Sequence, residues 1–285
     1  MSGKVDLHIH TTVSDGRFSP EEIVRKAAQL GVNTIAICDH DNTDGITPAT
    51  AAAAAAFPQL TVIPGVEIST YAPGSEVHIL GYFIDLNNPE LKNALADSRD
   101  SRLWRARAMI EKLNELGIDI NWQQVKEIAG KSTVGRPHIA QAMLDKGHIK
   151  TFNEAFDKYI GQGSPAYVER HKISPAQAVT LVKEVKGLPV LAHPFTVDNP
   201  KRLIVELKTA GLAGIEVYYN NYSADKRSEL ARIAFEHNLI ATGGSDYHGI
   251  DDSTETMLGN AGVPVECAEK LLALAVRQGL ESTNL

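Results

Sequence analysis

Histidines and acidic residues follow six separate apolar stretches of this 285-residue chain. The stretches read VDLHIHTTVSDG, TIAICDHDNTDG, TVIPGVEIST, EVHILGY, LPVLAHP and LIATGGSDYHG. A globular domain buries such side chains only where each is paired, hydrogen-bonded or bound to a metal ion. Imidazole nitrogens and carboxylate oxygens that converge on one point form sites for several divalent metals. The pattern therefore indicates a metal-dependent hydrolase. Its candidate ligands are His8, His10, Asp15, His40, Glu67, His78, His193, Asp246 and His248.

The spacing of these residues favours convergence on one site. His8 and His10 are two apart in a predicted strand, so both side chains point to the same face. Asp246 and His248 have the same spacing, and Glu67 has two oxygens that could bridge two ions. Taken singly, each motif has an ordinary explanation, such as a loop cap or a core histidine. Six independent explanations of this kind at one edge of a sheet are far less probable than a single metal centre.

Two carboxylates and one histidine among the ligands are also the candidate catalytic residues, namely Asp15, His193 and Asp246. Asp39 comes directly before His40, and we expect it to orient a histidine rather than to bind metal.

The elements that would position these residues are βα units around a mostly parallel sheet. Short β-branched runs predict strands near residues 4–9, 34–38, 61–67, 77–84, 188–192, 213–219 and 239–243. Capping boxes predict helices that begin after Ser19 and Ser174, and further helices are expected at 45–56, 200–210, 223–237 and 265–278. Because catalytic groups of barrel enzymes lie at the C-terminal ends of the strands, the polar residues should form one cluster.

The alternation of strands and helices stops between residues 98 and 165, where the pattern is helical throughout. We therefore predict a barrel domain of residues 1–97 and 166–285, and a helical insertion that forms a lid over the strand ends. The insertion carries eleven Lys/Arg and eight Asp/Glu, a net of +3, so the rest must carry −10 to give −7. A basic lid over an acidic metal site suits an anionic substrate. Alternatively, the arginines between 99 and 107 merely solvate a helix face.

Composition excludes several other classes of function. A net charge of −7 argues against binding of long duplex nucleic acid. The two cysteines, Cys38 and Cys267, are too far apart in the chain to suggest a CxxC metal site or a disulfide framework. No apolar run reaches 18 residues. We expect a cytoplasmic protein that does not contact a membrane, and no obligate protein partner is evident.

The motifs, taken in order, resemble the polymerase and histidinol phosphatase (PHP) family of metal-dependent phosphoesterases. The matching segments are DLHIHTT with SDG, CDHD, PGVE, HILGY, AHP and GSDYH. The resemblance implies an α/β fold, a distorted seven-stranded barrel with a trinuclear metal centre. It implies that His8, His10, Glu67 and Asp246 hold one ion, that Glu67, His78 and His193 hold a second, and that Asp15, His40 and His248 hold a third.

The insertion contains GRPHIA, residues 135–140, and so is similar to the branch of the family that acts on nucleotides and short RNA. That branch includes 3',5'-nucleotide bisphosphate phosphatases and 5'-3' exoribonucleases. The resemblance implies that Arg136 and His138 contact a substrate phosphate, with Arg102 as a weaker candidate. A purely structural turn is the alternative.

These observations together predict hydrolysis of a nucleoside 3',5'-bisphosphate, or of a short 5'-phosphorylated oligoribonucleotide, by a metal-bound hydroxide. We expect three divalent ions, of manganese, although zinc or iron would also suit the ligands. One alternative is a histidinol-phosphate phosphatase. Another is a non-catalytic module that metal merely stabilises, which the complete ligand set disfavours.

Overall fold

Seven strands lie side by side in chain order in the computed structural model, which describes residues 3–72, 75–130, 134–169, 173–219, 222–250 and 256–280. The strands are β1 (Lys4–Ile9), β2 (Val32–Ile37), β3 (Thr61–Ala72), β4 (Ser75–Tyr82), β5 (Leu188–Leu191), β6 (Gly214–Tyr219) and β7 (Ile240–Gly244). The amide of His10 donates to the carbonyl of Tyr247 over 3.0 Å, and the amide of Asp246 donates to His8 over 2.9 Å. These bonds join the two edge strands, so the sheet is a nearly closed barrel, as predicted.

The fourth strand departs from the βα pattern, because β4 runs antiparallel to both β3 and β5 while the other neighbours are parallel. Two predicted positions change as a result. His78 lies in the first half of β4, opposite Ser69, and not at a C-terminal strand end. Glu67 lies in the middle of β3, which continues to Ala72 because the antiparallel pairing extends it. The start of an antiparallel strand lies at the same edge as the ends of its neighbours, so His78 still reaches the cluster.

The helices of the barrel unit are α1 (Pro20–Gln29), α2 (Ile46–Ala56), α7 (Pro175–Glu184), α8 (Pro200–Ala210), α9 (Ala224–Glu236) and α10 (Val265–Arg277). Both predicted capping boxes are present. The Ser19 amide donates to Glu22 Oε2 over 2.8 Å, and the Ser174 amide donates to Gln177 Oε1 over 2.8 Å. Each box is followed by a proline in the first turn, where no amide hydrogen is needed.

The apolar faces of these elements form two clusters. One contains Ile23, Ile35 and Val182 and fills the space between the sheet and the helices around it. The other contains Leu7 and Ile63 of the strands together with residues of α10. Cys38 and Cys267 are buried and unbridged, as small apolar residues of the core often are.

The chain divides into two compact units, Met1–Leu95 with Ile173–Leu285, and Ala96–Lys172. The expected insertion, residues 98–165, lies inside the second unit, and its role as a lid stays a prediction. Its helices are α3 (Pro89–Glu115, which begins in the first unit), α4 (Trp122–Ala129), α5 (Arg136–Asp145) and α6 (Phe152–Ala155), which continues as a π-helical turn. This unit has its own apolar core, which includes Met109, Leu113 and Ile139. None of the helices described here combines the length and the apolar character that a membrane crossing requires.

Candidate metal centre

All nine predicted ligands lie in the barrel unit, on or directly after its strands. β1 carries His8, His10 comes directly after it, and the loop that follows carries Asp15. His40 follows β2, and His193 follows β5. The last two ligands follow β7. Every strand except β6 therefore contributes at least one candidate ligand.

Glu67 is the centre of this cluster and is almost fully buried. Its Oε1 is 2.7 Å from His78 Nδ1 and 3.1 Å from His193 Nε2. Its Oε2 is within 3.3 Å of a nitrogen of each of three further imidazoles, those of His8, His10 and His40. Since the two oxygens face different sets of nitrogens, this carboxylate can bridge two ions.

Three groups of ligand atoms are close enough to share an ion. They are His8, His10, Glu67 and Asp246; His10, Asp15, His40 and His248; and His40, Glu67 and His78. The first is the set that the family resemblance implies, and the second contains the implied set with His10 added. The third differs, because His40 takes the place of His193, which contacts Glu67 Oε1 from outside the group.

The donor atoms at His8 show that these residues fit a cation. His8 Nδ1 is 3.0 Å from the carboxylate of Glu216, which can only accept, so a neutral ring presents its lone pair at Nε2. That atom is 3.3 Å from Glu67 Oε2 and 3.3 Å from Asp246 Oδ1. His8 Nε2 and Glu67 Oε2 are buried and form no hydrogen bond of normal geometry with any described residue. Donors about 2.1 Å from an ion in tetrahedral geometry are about 3.4 Å apart, so a divalent metal satisfies this arrangement.

The carboxylates and the imidazoles of the cluster shift one another's pKa values, because their opposite charges attract. Burial alone would raise the pKa of Glu67, but the attraction of His40, His78 and His8 holds it well below its usual range. Burial alone would lower the pKa of His78, but Glu67 raises it to about 9. In the same way, Asp15 outweighs burial and raises the pKa of His248 to about 10. The cluster thus keeps its carboxylates ionised and available as ligands.

Unusual backbone conformations bring two of the ligands into the cluster. His193 has φ 26° and Asp246 has φ 54°, in the left-handed region that costs free energy for residues other than glycine. Gly244 precedes the second of these turns, and a Cβ on it would lie 2.4 Å from the Cβ of His8. A glycine is therefore required where β7 passes β1, and the close approach places Asp246 beside His8.

Two buried aspartates support the loops that carry the ligands. The expectation that Asp39 orients a histidine is wrong, because its oxygens accept from the amide and hydroxyl of Thr11 and from the hydroxyl of Ser14, at 2.7 to 2.8 Å. Ser14 in turn links Asp39 to a ligand, because its Oγ is 3.5 Å from His10 Nδ1.

Sequence reasoning gave no role to Asp6, which accepts from the amide and hydroxyl of Ser245 and from the amide of Gly259. It ties β1 to the loop that carries Asp246. A charged residue in the middle of the apolar run VDLHI was the signal that could have revealed it.

The three predicted substrate contacts lie in the second unit, Arg136 and His138 in the first turn of α5 and Arg102 in α3. The amide of Gly135 donates to His138 Nδ1 over 2.9 Å, so the neutral His138 ring carries its hydrogen on Nε2. Arg102 Nη1 is 3.9 Å from the position that a Cβ on Gly135 would occupy. The guanidinium of Arg136 lies over the ring of Phe156, 5.8 Å from its centroid.

A nearly closed seven-stranded barrel with a buried histidine and carboxylate cluster at one edge is the arrangement of a metal-dependent hydrolase. The model of the PHP domain matches residues 6–248 of the chain. The chain therefore belongs to the PHP family and is a metal-dependent phosphoesterase.

Two curated relatives and one solved structure show the extent of the similarity. The 5'-3' exoribonuclease Rnm of Salmonella typhimurium is 35% identical over 247 residues, which are 85% of this chain and 84% of that protein. The 3',5'-nucleoside bisphosphate phosphatase of Chromobacterium violaceum is 36% identical over 254 residues, 86% of this chain and 87% of that protein. A Bifidobacterium adolescentis structure described as a metal-dependent phosphoesterase superposes with a TM-score of 0.85, at 30% identity and 96% coverage of both chains.

Proposed function

We propose that this phosphoesterase removes the 3'-phosphate of nucleoside 3',5'-bisphosphates, as in adenosine 3',5'-bisphosphate to AMP, and cleaves short 5'-phosphorylated oligoribonucleotides. The observation that carries the proposal is the complete cluster around Glu67, in which every strand but one supplies a ligand. The names of the two relatives support the choice of substrate, because both describe enzymes of nucleotide or RNA phosphoesters.

The residues of the cluster divide the work of hydrolysis. Divalent ions bound here would act as Lewis acids toward a phosphoryl group and would lower the pKa of water. Glu67 holds two ligand sets at a fixed separation through its two oxygens. His193 and Asp246 project from strained turns into the same cluster, which fixes their positions before substrate arrives. We assign Asp15, His193 and Asp246 as the residues nearest the reacting phosphate.

The N-terminus of α5 would hold a second phosphate of the substrate. Its first residues offer the guanidinium of Arg136 and the Nε2 hydrogen of His138, and Arg102 lies beside Gly135. Arginine binds phosphate oxygens through two parallel hydrogen bonds, and a helix N-terminus favours an anion. We therefore assign Arg136, His138 and Arg102 to a phosphate of the substrate. In this proposal the second unit acts as a lid.

The ligands suit three divalent ions, and we propose manganese as the physiological metal. We also propose that the enzyme acts in the cytoplasm and needs no protein partner.

A panel of substrates tests the proposal directly. Phosphate release is measured with manganese on adenosine 3',5'-bisphosphate, AMP and histidinol phosphate, and nucleotide release is measured on a short 5'-phosphorylated oligoribonucleotide. We expect the bisphosphate and the oligonucleotide to be preferred over AMP. Preference for histidinol phosphate would replace the nucleotide assignment, and no release from any of the four would favour a metal-stabilised binding module.

Substitution of Arg136 tests the phosphate contact. Arg136→Ala should raise KM for the bisphosphate about 10- to 100-fold, because a charge-assisted contact contributes roughly 1.5–3 kcal/mol. Lys126→Ala removes the same charge from an exposed position of the same unit and should leave KM unchanged. Equal effects of the two substitutions would show that only the net charge of the unit matters.

A further inference from the structure

β6 carries no candidate ligand, yet two of its side chains contact residues of the cluster. Glu216 and Tyr219 lie three residues apart, so in a regular strand they would point to opposite faces of the sheet. In this structure both point to the cluster. A local irregularity of the strand accounts for this.

The irregularity is a β-bulge at Val217. The pairing of β6 with β7 matches Glu216 with Thr242 and Tyr218 with Gly243, so that Val217 has no partner. One extra residue reverses the alternation of side chains beyond it, and bulges next to active sites often redirect a side chain in this way. Gly243 is the residue that permits it, because a Cβ there would lie 2.2 Å from the carbonyl oxygen of Tyr218.

Glu216, which is fully buried, makes the first contact between β6 and the cluster. Its Oε1 is 3.0 Å from His8 Nδ1, and its Oε2 accepts from the backbone amide of His193 over 2.7 Å. The first bond fixes the His8 ring with Nε2 toward Glu67 Oε2. The second bond holds the strained backbone of His193, whose Nε2 is 3.1 Å from Glu67 Oε1. One carboxylate therefore positions ligands on both sides of Glu67.

The second contact is made by Tyr219, whose hydroxyl donates to Asp246 Oδ2 over 2.9 Å. The other oxygen of that carboxylate, Oδ1, is 2.9 Å from His10 Nε2 and 3.3 Å from His8 Nε2. Tyr219 thus occupies one oxygen and leaves the other for the ligand group. Its ring also lies against His193, with 5.4 Å between ring centroids.

We infer that β6 is a dedicated positioning strand, in which the bulge at Val217 turns Glu216 and Tyr219 to one face to set the metal affinity of the centre. Glu216 acts on His8 and His193, and Tyr219 acts on Asp246. The inference deepens the proposed function, because it rests on the binding of metal by this cluster.

A manganese titration tests the inference without a measurement of turnover. The protein is first stripped of metal with a chelator and is then titrated with Mn²⁺, and the free Mn²⁺ is measured by electron paramagnetic resonance. Partners that orient metal ligands typically contribute 10- to 100-fold in affinity. Glu216→Gln keeps the shape of the side chain but cannot accept from both donors, so it should weaken the binding of at least two manganese ions by this factor. Tyr219→Phe should weaken the binding of only the ion held by Asp246. Gly243→Ala should weaken the binding of all these ions, because the bulge cannot form.

Two substitutions in the same barrel serve as controls for a general loss of stability. Thr242→Val removes a buried hydroxyl beside Glu216, and Tyr82→Phe removes a buried hydroxyl that donates to the carbonyl of Leu7. Within the described residues, each hydroxyl donates to a backbone carbonyl and not to a ligand side chain, so both substitutions should lower Tm and leave the manganese dissociation constants within about twofold. Excess manganese should restore turnover of Glu216→Gln, as expected for a positioning residue.

Several outcomes would overturn the inference. Unchanged dissociation constants in Glu216→Gln and Tyr219→Phe would do so, and so would equal weakening in the two controls. If Glu216→Gln does not fold, Tyr219→Phe decides the matter, since it removes one oxygen and keeps the ring. A wild-type protein that binds manganese normally but hydrolyses none of the four substrates would refute the proposed function and leave this inference standing.

Discussion

The metal-free protein is expected to lose stability as the pH rises from about 6.5 to about 9. In the absence of metal, the carboxylates of the cluster raise the pKa values of His8, His10, His78 and His248 above the ordinary value, and Glu67 raises that of His78 to about 9. The ordinary value for the unfolded chain is about 6.5. A group with a raised pKa stabilises the fold fully below its unfolded value, and this contribution is lost as the pH passes the folded value.

The size of the effect follows from the two pKa values of His78. Their difference corresponds to roughly 3 kcal/mol in the free energy of unfolding. For a chain of this size, 1 kcal/mol shifts Tm by roughly 2–4 °C, so Tm should fall by roughly 6–12 °C over this interval. His248 should extend the fall toward pH 10, the value to which Asp15 raises its pKa. Metal binding requires neutral imidazoles, so the metal-loaded protein should show no such fall.

The assay is thermal unfolding between pH 6 and pH 10, with chelator or with saturating manganese. His78→Asn should remove much of the fall in the chelated protein, whereas His237→Asn should not, because His237 follows α9 and takes no part in the cluster. A chelated wild-type protein whose Tm is constant or rises over this interval would refute the reasoning.

Two further predictions concern the cluster and its frame. His10→Ala and Glu67→Ala should each lower turnover at least about 100-fold at saturating manganese, because each removes a ligand shared between groups. Near-normal turnover of both variants would contradict metal-dependent hydrolysis at this cluster. Gly244→Ala should destabilise the fold severely and weaken manganese binding, because the new Cβ would lie 2.4 Å from the Cβ of His8. Gly31→Ala is the control, because a Cβ there meets no atom within 4 Å and should cost only backbone strain. Chemical denaturation of both variants measures the difference.

The strands and the ligands on them could be predicted from the sequence because both leave local signals. Alternating β-branched runs locate the strands to within a few residues, except that β3 continues five residues beyond its expected end. Polar residues directly after an apolar run are conspicuous because burial of such groups is costly. The ligand list therefore required only that the ends of the strands meet at one edge.

The antiparallel direction of β4 was not predicted, although the sequence contains its signal. A parallel crossover needs a dozen or more residues, whereas only nine separate the predicted strands 61–67 and 77–84. A hairpin was the only connection of that length. The consequence for the site is that His78 reaches the cluster from the start of its strand.

The bulge in β6 and the roles of the buried carboxylates could not be predicted, because they depend on which donors surround each oxygen. Asp39 and Glu216 are as deeply buried as Glu67, and all three follow or interrupt apolar runs. In the structure, three donors occupy the oxygens of Asp39, and Glu216 accepts from one imidazole and one amide. Glu67 alone of the three has an oxygen with no hydrogen bond of normal geometry in the described chain. A carboxylate whose oxygens are satisfied by protein donors supports the site, and one left facing several imidazole nitrogens requires a cation. This distinction rests on hydrogen-bond geometry, which neither residue type nor spacing specifies.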